Sequence, residues 1–322
     1  MNKSFFITLL FLMITPVFIS GCNFHRGTDT EKGPYAFPYV SVPSMLTGQE
    51  AAEYAASHYW NRYFDSVQVW SGISDTLVGG VTEAGMTQAV REYIMALWSI
   101  PYNKALEAQR HLMSLAEEST VTDTSGHIYD FLVTVMESAL WNPLSELRNE
   151  GFYIPVVESV LNTRRTGERY SGYYQQQLAT CRNNAPGTFA ADFTYTDANG
   201  RMHSLYDTHS EYTLLLFSNP GCPACREIIS MLKGSSIINS MEQQGRLALL
   251  SIYIDEDLSA WHQGLSDYPD DWVTGYNQDL SIRDALVYDV RAIPSLYLLD
   301  RNKAVIFKDI STGMLMLQLE TL

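Results

Sequence analysis

At 322 residues the chain is long enough for two cores, and 46 % hydrophobic against 18 % charged residues excludes a disordered or fibrous protein. Its formal charge of −15, which becomes −16 once a leader carrying Lys3 is lost, disfavours nucleic acid and electrostatic docking on anionic lipid as partners. Four cysteines in so long a chain do not make a disulfide framework, so the fold must rest on its cores.

In chain order, the first element is a secretory leader, residues 1–21. Lys3 is followed by the apolar run Phe5 to Phe18 and by Ile19-Ser20-Gly21-Cys22 at a cleavage site. The run is short for a spanning helix, which needs roughly 20 residues. Its last four residues resemble the bacterial lipobox. That implies that Cys22 is acylated and that the protein is anchored by lipid to a bacterial membrane, inner or outer, facing the periplasm. Residues 22–46, with Gly27, Gly33, Pro34, Pro38 and Pro43, read as a tether.

From Thr47 to Asn184 the period is helical. Thr47-Gly48-Gln49-Glu50 has the form of a capping box, and apolar pairs recur at Ala51/Ala52, Ala55/Ala56, Tyr59/Trp60 and Tyr63/Phe64. Further helices are predicted over 82–99, 101–118, 125–141, 145–163 and 170–182, with Pro101 and Pro143 in first turns. This half, 47–184, reads as an all-α domain without a catalytic constellation. His58, His111 and His127 stand singly, with no second ligand at i+4, and are core or surface residues rather than metal ligands.

The period changes near Gly187. Segments 192–196 and 201–205 flank Asp197-Ala198-Asn199-Gly200, a hairpin signal. Tyr212 to Phe217 and Leu247 to Ile254 are continuous apolar runs suited to buried strands. Helices are predicted over 222–240, 258–265, 281–288 and 314–319, and closing strands over 295–299 and 304–308. Strands alternating with helices predict an α/β domain over 187–322, its mixed sheet flanked by helices.

The chemistry concentrates at Gly221-Cys222-Pro223-Ala224-Cys225. A strand ending at Phe217 feeds a helix whose first turn carries both thiols, where free backbone N–H groups and the helix dipole favour a thiolate. Cys222 is the exposed nucleophile, Pro223 fits the first helical position, and Cys225, one turn on, resolves the mixed disulfide. Two other readings stay open: half of a zinc site, and a purely structural disulfide. Zinc needs four ligands and no second such pair exists, so no metal is assigned; a bridge across so short a loop would stabilise little. Cys181 reads as a buried or idle thiol.

From Gly187 to Leu322 the sequence resembles the exported thioredoxin-like proteins of the TlpA/ResA type. The resemblance rests on the leading hairpin, the strand Leu214 to Phe217, the cysteine-pair helix, the strand-helix insertion and Arg291-Ala292-Ile293-Pro294-Ser295-Leu296-Tyr297-Leu298-Leu299-Asp300. It implies a cis Ile293–Pro294 bond, client docking on Ile293, Pro294 and Pro223 by backbone pairing, and a carboxylate, falling on Glu256, that takes the proton of Cys225. It further implies protein disulfide or dithiol clients, a membrane electron donor or acceptor, and no cofactor. Two departures stand out: Leu216 where thioredoxins keep a buried acid, and Gly221 where an aromatic is usual. The helical half resembles regions of unassigned function fused to such domains. The expected protein is a membrane-anchored periplasmic thiol-disulfide oxidoreductase that reduces protein disulfides. The alternatives are a lipoprotein adaptor on a thioredoxin-like scaffold and a disulfide-stabilised binding module.

Overall fold

The computed structural model describes residues 34–67, 77–163, 165 and 168–322, so the predicted leader, Cys22 and the first part of the tether lie outside the described residues. Periodic apolar positions set the helical half. It consists of α1 (Gly48–His58), α2 (Asn61–Val67), a hairpin of β1 (Leu77–Val78) and β2 (Val81–Thr82), α3 (Glu83–Trp98), α4 (Tyr102–Ser119), α5 (His127–Met136), α6 (Glu150–Asn162) and α7 (Glu168–Arg182). In α3 the side chains of Met86, Ala89, Val90, Tyr93, Ile94 and Leu97 form one fully buried stripe, and the Thr82 hydroxyl caps the helix by accepting from the Gly85 N–H. α6 is buried on nearly all sides through Phe152, Tyr153, Ile154, Val156 and Val157, which makes it the central helix of this half.

Several expectations are corrected here. Within the predicted tether, Tyr35 and Phe37 are anchored: the Tyr35 N–H donates to the Gly80 carbonyl and Phe37 is buried against the rings of Tyr59, Trp60 and Tyr63. Thr47 makes no side-chain cap, so the capping box is not formed. The helix predicted from 145 starts instead at Glu150, capped by Asn149, and Pro143 sits in the preceding turns. The all-α reading also missed the β1–β2 hairpin, whose Gly79 and Gly80 have φ of +52° and +84° and supply the left-handed pair that a two-residue turn demands. α5 ends in a single π turn, Glu137–Trp141, in which the Asn142 N–H reaches back to the Glu137 carbonyl.

The second half is a seven-stranded mixed sheet in the order β4-β3-β7-β6-β5-β8-β9: β3 (Thr194–Asp197), β4 (Met202–Ser204), β5 (Tyr212–Phe217), β6 (Leu247–Tyr253), β7 (Val273–Tyr276), β8 (Ser295–Asp300) and β9 (Val305–Phe307). β5 pairs parallel with β6 and antiparallel with β8. Alternation along β5 divides the core: Leu214 and Leu216 face a layer that includes Ile229, Leu232, Met314 and Leu315, whereas Leu215 and Phe217 face Phe193, Ile252, Tyr288 and Tyr297. The expected helix 222–240 is two helices, α8 (Pro223–Gly234) and α9 (Ser236–Gln243), broken where Ser235 caps the second. The rest are α10 (Leu258–Gln263), α11 (Ser281–Asp284) and α12 (Thr312–Leu319).

Residues Pro34–Leu322 form one compact unit. Trp98, at the end of α3, packs on the helical core and on the α8/α12 side of the sheet core. Among the described residues no helix is long and apolar enough to cross a membrane.

Candidate active site

β5 delivers the chain to the site. Beyond Phe217, Ser218 is fully buried, and Asn219, Pro220 and Gly221 turn the backbone into α8. Gly221 has φ of +75°, in the left-handed region that side chains disfavour, which accounts for a glycine where a thioredoxin carries an aromatic. Cys222 is the N-cap of α8: its Sγ accepts from the Cys225 N–H at 3.3 Å, and Pro223 takes the first helical position, where no N–H is needed.

The two thiols have different surroundings. Cys222 is half-buried, whereas Cys225 is fully buried and its Sγ receives the Asn219 N–H at 3.5 Å. Burial, and then the contact with Cys222, push the Cys225 thiol up to about 12, so at neutral pH it keeps its proton. Neither is bonded to the other; Cys181, Cys222 and Cys225 are all free. An accessible sulfur at a helix start, backed by a protonated one, is a geometry in which the first can attack a disulfide and the second can resolve it.

Pro294 reaches the same end of the sheet through register. Phe217 lies opposite Ser295 in the β5–β8 ladder, so the residues just outside the ladder, Ser218 and Pro294, stand at the edge from which the cysteine loop leaves. The Ile293–Pro294 bond is cis, and both residues are half-buried. Cys222, Pro223, Cys225, Ile293 and Pro294 are thus gathered at one sheet end.

Glu256, expected to take the proton of Cys225, is engaged elsewhere in this structure. Its carboxylate is held 2.7 Å from Arg283 and its side chain is 72 % exposed. Its neighbour Asp255 is the carboxylate tied to the cysteine loop: it accepts a hydrogen bond from the Asn219 side-chain amide and lies 3.8 Å from Arg283.

Two further features escaped the sequence reading. Ser218, Ser251 and Tyr268 form a buried chain of hydroxyls, with Ser218 Oγ 2.8 Å from both Ser251 Oγ and the Tyr268 hydroxyl. Burial raises the Tyr268 phenol above its ordinary value. The polar Ser251 inside the apolar run of β6 was the available signal. Gly264, just beyond α10, lies so close to the loop that an added Cβ would stand 2.2 Å from Pro220 Cβ.

The loop that enters β8 is also tied to the helical half. Arg291 places Nε and a terminal nitrogen 3.0 and 2.6 Å from Glu150 Oε1, donates to the Trp141 carbonyl at 2.6 Å, and lies 3.7 Å above the Trp141 ring. Lys308 Nζ stands 2.6 Å from Glu150 Oε2 and also donates to the carbonyls of Thr180 and Asn183. Asp309 accepts from Ser295 Oγ at 2.7 Å and pairs with Arg148 at 3.4 Å; burial pushes its carboxyl up to about 6 against the pull of Arg148. Cys181 lies within the electrostatic reach of Glu150 and Lys308, and burial drives its thiol far above the ordinary range. Among the described residues no three His, Cys, Asp or Glu are grouped to hold a metal ion.

Comparison with known proteins divides the chain in the same place. A domain of unknown function (DUF5106) matches residues 19–184, more than half of the chain, and a thioredoxin-like family matches residues 210–305. The crystal structure of a thioredoxin-like protein from Bacteroides caccae is 32 % identical, covers 89 % of this chain and 99 % of its own, and superposes with a TM-score of 0.71. The C-terminal domain of an uncharacterised protein from Bacteroides fragilis is 44 % identical over 43 % of this chain and 99 % of its own, with a TM-score of 0.42. The thioredoxin domain of a thiol-disulfide oxidoreductase from Bacteroides vulgatus is 23 % identical over 42 % of this chain and 96 % of its own, with a TM-score of 0.38. No curated protein matches the chain.

Proposed function

The chain belongs to the DUF5106 family and is a thioredoxin-like protein, and on that premise we propose that it is a membrane-anchored thiol-disulfide oxidoreductase facing the periplasm, reducing protein disulfides with Cys222 and Cys225. The observation that carries this reading is the pairing of a half-buried N-cap sulfur with a fully buried thiol one turn behind it, at the sheet end where Pro294 leads into β8.

The exchange runs in two steps. Cys222 thiolate attacks one sulfur of the client disulfide, forming a mixed disulfide and releasing the other client sulfur as thiolate. Cys225 then loses its proton and attacks Cys222 Sγ, so that the first client sulfur leaves and is protonated. The client gains two electrons and two protons, and the pair ends as a disulfide that a membrane electron donor returns to thiols. Ile293 and Pro294 hold the client by backbone pairing, and the reaction uses no metal or organic cofactor.

The test is reduction of a disulfide-bearing peptide by the reduced, lipid-free mature chain. Wild type should turn over, and Cys222→Ser should lose at least two orders of magnitude in rate, as loss of a nucleophile does. Equal function of the serine variant in cells would instead favour an adaptor. The anchor is tested separately: Cys22→Ala should remove palmitate labelling and release the protein from membranes.

A further inference from the structure

We propose that the helical half is a positioning scaffold for the client-docking loop, and that Glu150 at the start of α6 is the residue through which it acts, by fixing Arg291 and hence the backbone at Ile293–Pro294. The inference rests on the exchange function proposed above only in what the loop is for.

Glu150 is 2 % exposed, and burying a charged side chain is costly unless counter-charges stand against it. Both matching cations come from the sheet half. Arg291 precedes Pro294 by three residues and grips one carboxylate oxygen through two nitrogens; Lys308 follows β9, the neighbour of β8, and sets its charge 2.6 Å from the other oxygen without hydrogen-bond geometry. Arg291 has little freedom left, since Trp141 receives its remaining terminal nitrogen at the carbonyl and its guanidinium face on the ring. The π turn that closes α5 ends at Trp141 and so presents that carbonyl.

A second tie lies on the other side of the docking dipeptide. Ser295, the residue after Pro294, donates to Asp309, which Arg148 of the helical half pairs with at 3.4 Å. Ile293 and Pro294 are therefore bracketed by two residues, Arg291 and Ser295, each linked through ionised groups to Glu150 or Arg148. Burying ionised groups in this way is a weak means of gaining stability, because desolvation offsets most of the attraction. At Arg291 it is a strong means of fixing geometry, because the guanidinium donates to Glu150 and to the Trp141 carbonyl in set directions.

The consequence falls on binding. A client strand that pairs with the loop backbone needs that backbone in one conformation, and a loop released from Arg291 must be ordered when the client binds. That cost enters KM. The sulfur chemistry sits on α8, which none of these ion pairs touches, so kcat stays near wild type.

The test uses the full lipid-free mature chain and reads two quantities: amide hydrogen exchange of residues 289–296, and KM and kcat for a disulfide-bearing peptide. Glu150→Gln keeps the shape and removes the charge. It should speed exchange in that segment roughly tenfold and raise KM by about threefold to tenfold, with kcat and the alkylation rate of Cys222 unchanged. Arg291→Lys keeps the charge and the Glu150–Lys308 pair while losing the forked grip and the stacking on Trp141, so it should shift both readouts in the same sense by less. It decides the matter alone if Glu150→Gln does not fold. Unchanged exchange and KM in a folded variant would overturn the proposal, as would KM, kcat and Cys222 alkylation all worsening together, which would make Glu150 a residue of the fold only. A wild-type chain that reduces no peptide would overturn the exchange function instead, and the exchange readout would still decide the positioning role.

Discussion

Gly264 offers the sharpest test of how the insertion after β6 supports the cysteine loop. Its φ of −90° suits any residue, so Gly264→Ala brings no backbone strain and its effect is purely one of space. The added Cβ would stand 2.2 Å from Pro220 Cβ and 3.3 Å from Pro220 Cα, whereas carbon atoms in contact settle near ~3.5–4.0 Å. Either α10 or the loop must give way by more than ~1 Å, and the proline ring cannot rotate aside. Overpacking of this kind costs about 1–3 kcal/mol. Because Pro220 follows Asn219, whose N–H points at Cys225 Sγ, the shift also reaches the sulfur pair. Gly234→Ala is the control: it lies at the end of α8 with nothing within 4 Å of an added Cβ, and should stabilise by about 0.5–1 kcal/mol. Denaturant unfolding and the alkylation rate of Cys222 are measured for both. If Gly264→Ala matches wild type in stability and alkylation rate, the packing of insertion on loop carries no such load and the reasoning is refuted.

Other expectations follow from the same geometry. Below pH 9 iodoacetamide should modify Cys222 alone among the three described cysteines of the folded protein, and Cys222→Ser should leave those remaining two unmodified; rapid labelling of Cys225 or Cys181 would contradict their burial. The folded Cys225 pKa of about 12 lies above its ordinary 9.0, so folding favours the protonated thiol. Its contribution is whole below pH 9 and is lost as pH rises toward 12. Between pH 8 and 10.5 wild type should therefore lose about 2 kcal/mol more stability than Cys225→Ala, and parallel losses would refute the assignment. Glu242 is pushed up to about 7 by burial and by Asp271, so its ionisation disfavours the fold as pH rises from 4.5 through 7. Glu242→Gln should melt higher than wild type at pH 8 and equally at pH 4.5; a difference that persists at low pH would point to another cause. Tyr268→Phe removes one hydroxyl from the chain through Ser218 and should cost about 1 kcal/mol in denaturant unfolding, with no loss counting against that bond's contribution.

What the sequence shows about the site is what is local. The cysteine pair could be placed because an apolar strand, a turn and a helix start are contiguous, and each carries its own period or cap. β7 could not: Val273–Tyr276 is four residues long with a glycine inside, and that glycine exists because a Cβ there would meet the Tyr195 ring at 2.4 Å, a contact made by a distant strand. The choice between Asp255 and Glu256 turns on the bend that follows β6, where Asp255 meets the Asn219 amide and Glu256 meets Arg283, contacts made by residues 36 and 27 positions away. Glu150 reads in sequence as one acid within a predicted helix, since its partner Arg291 lies 141 residues away. The Gly79-Gly80 turn, by contrast, was visible and went unread inside a stretch governed by helical period.

The seam at Glu150 also bears on how such chains can recombine. Two domains that meet across an apolar patch can exchange partners whenever the patches have similar shape. Here the sheet half contributes Arg291, Lys308 and Asp309 and the helical half Arg148 and Glu150, each nearly buried at the join. A thioredoxin-like half grafted onto an unrelated helical half would leave cations and a carboxylate in its interior with no counter-charge, so the two halves must be inherited, exchanged and engineered as a matched pair.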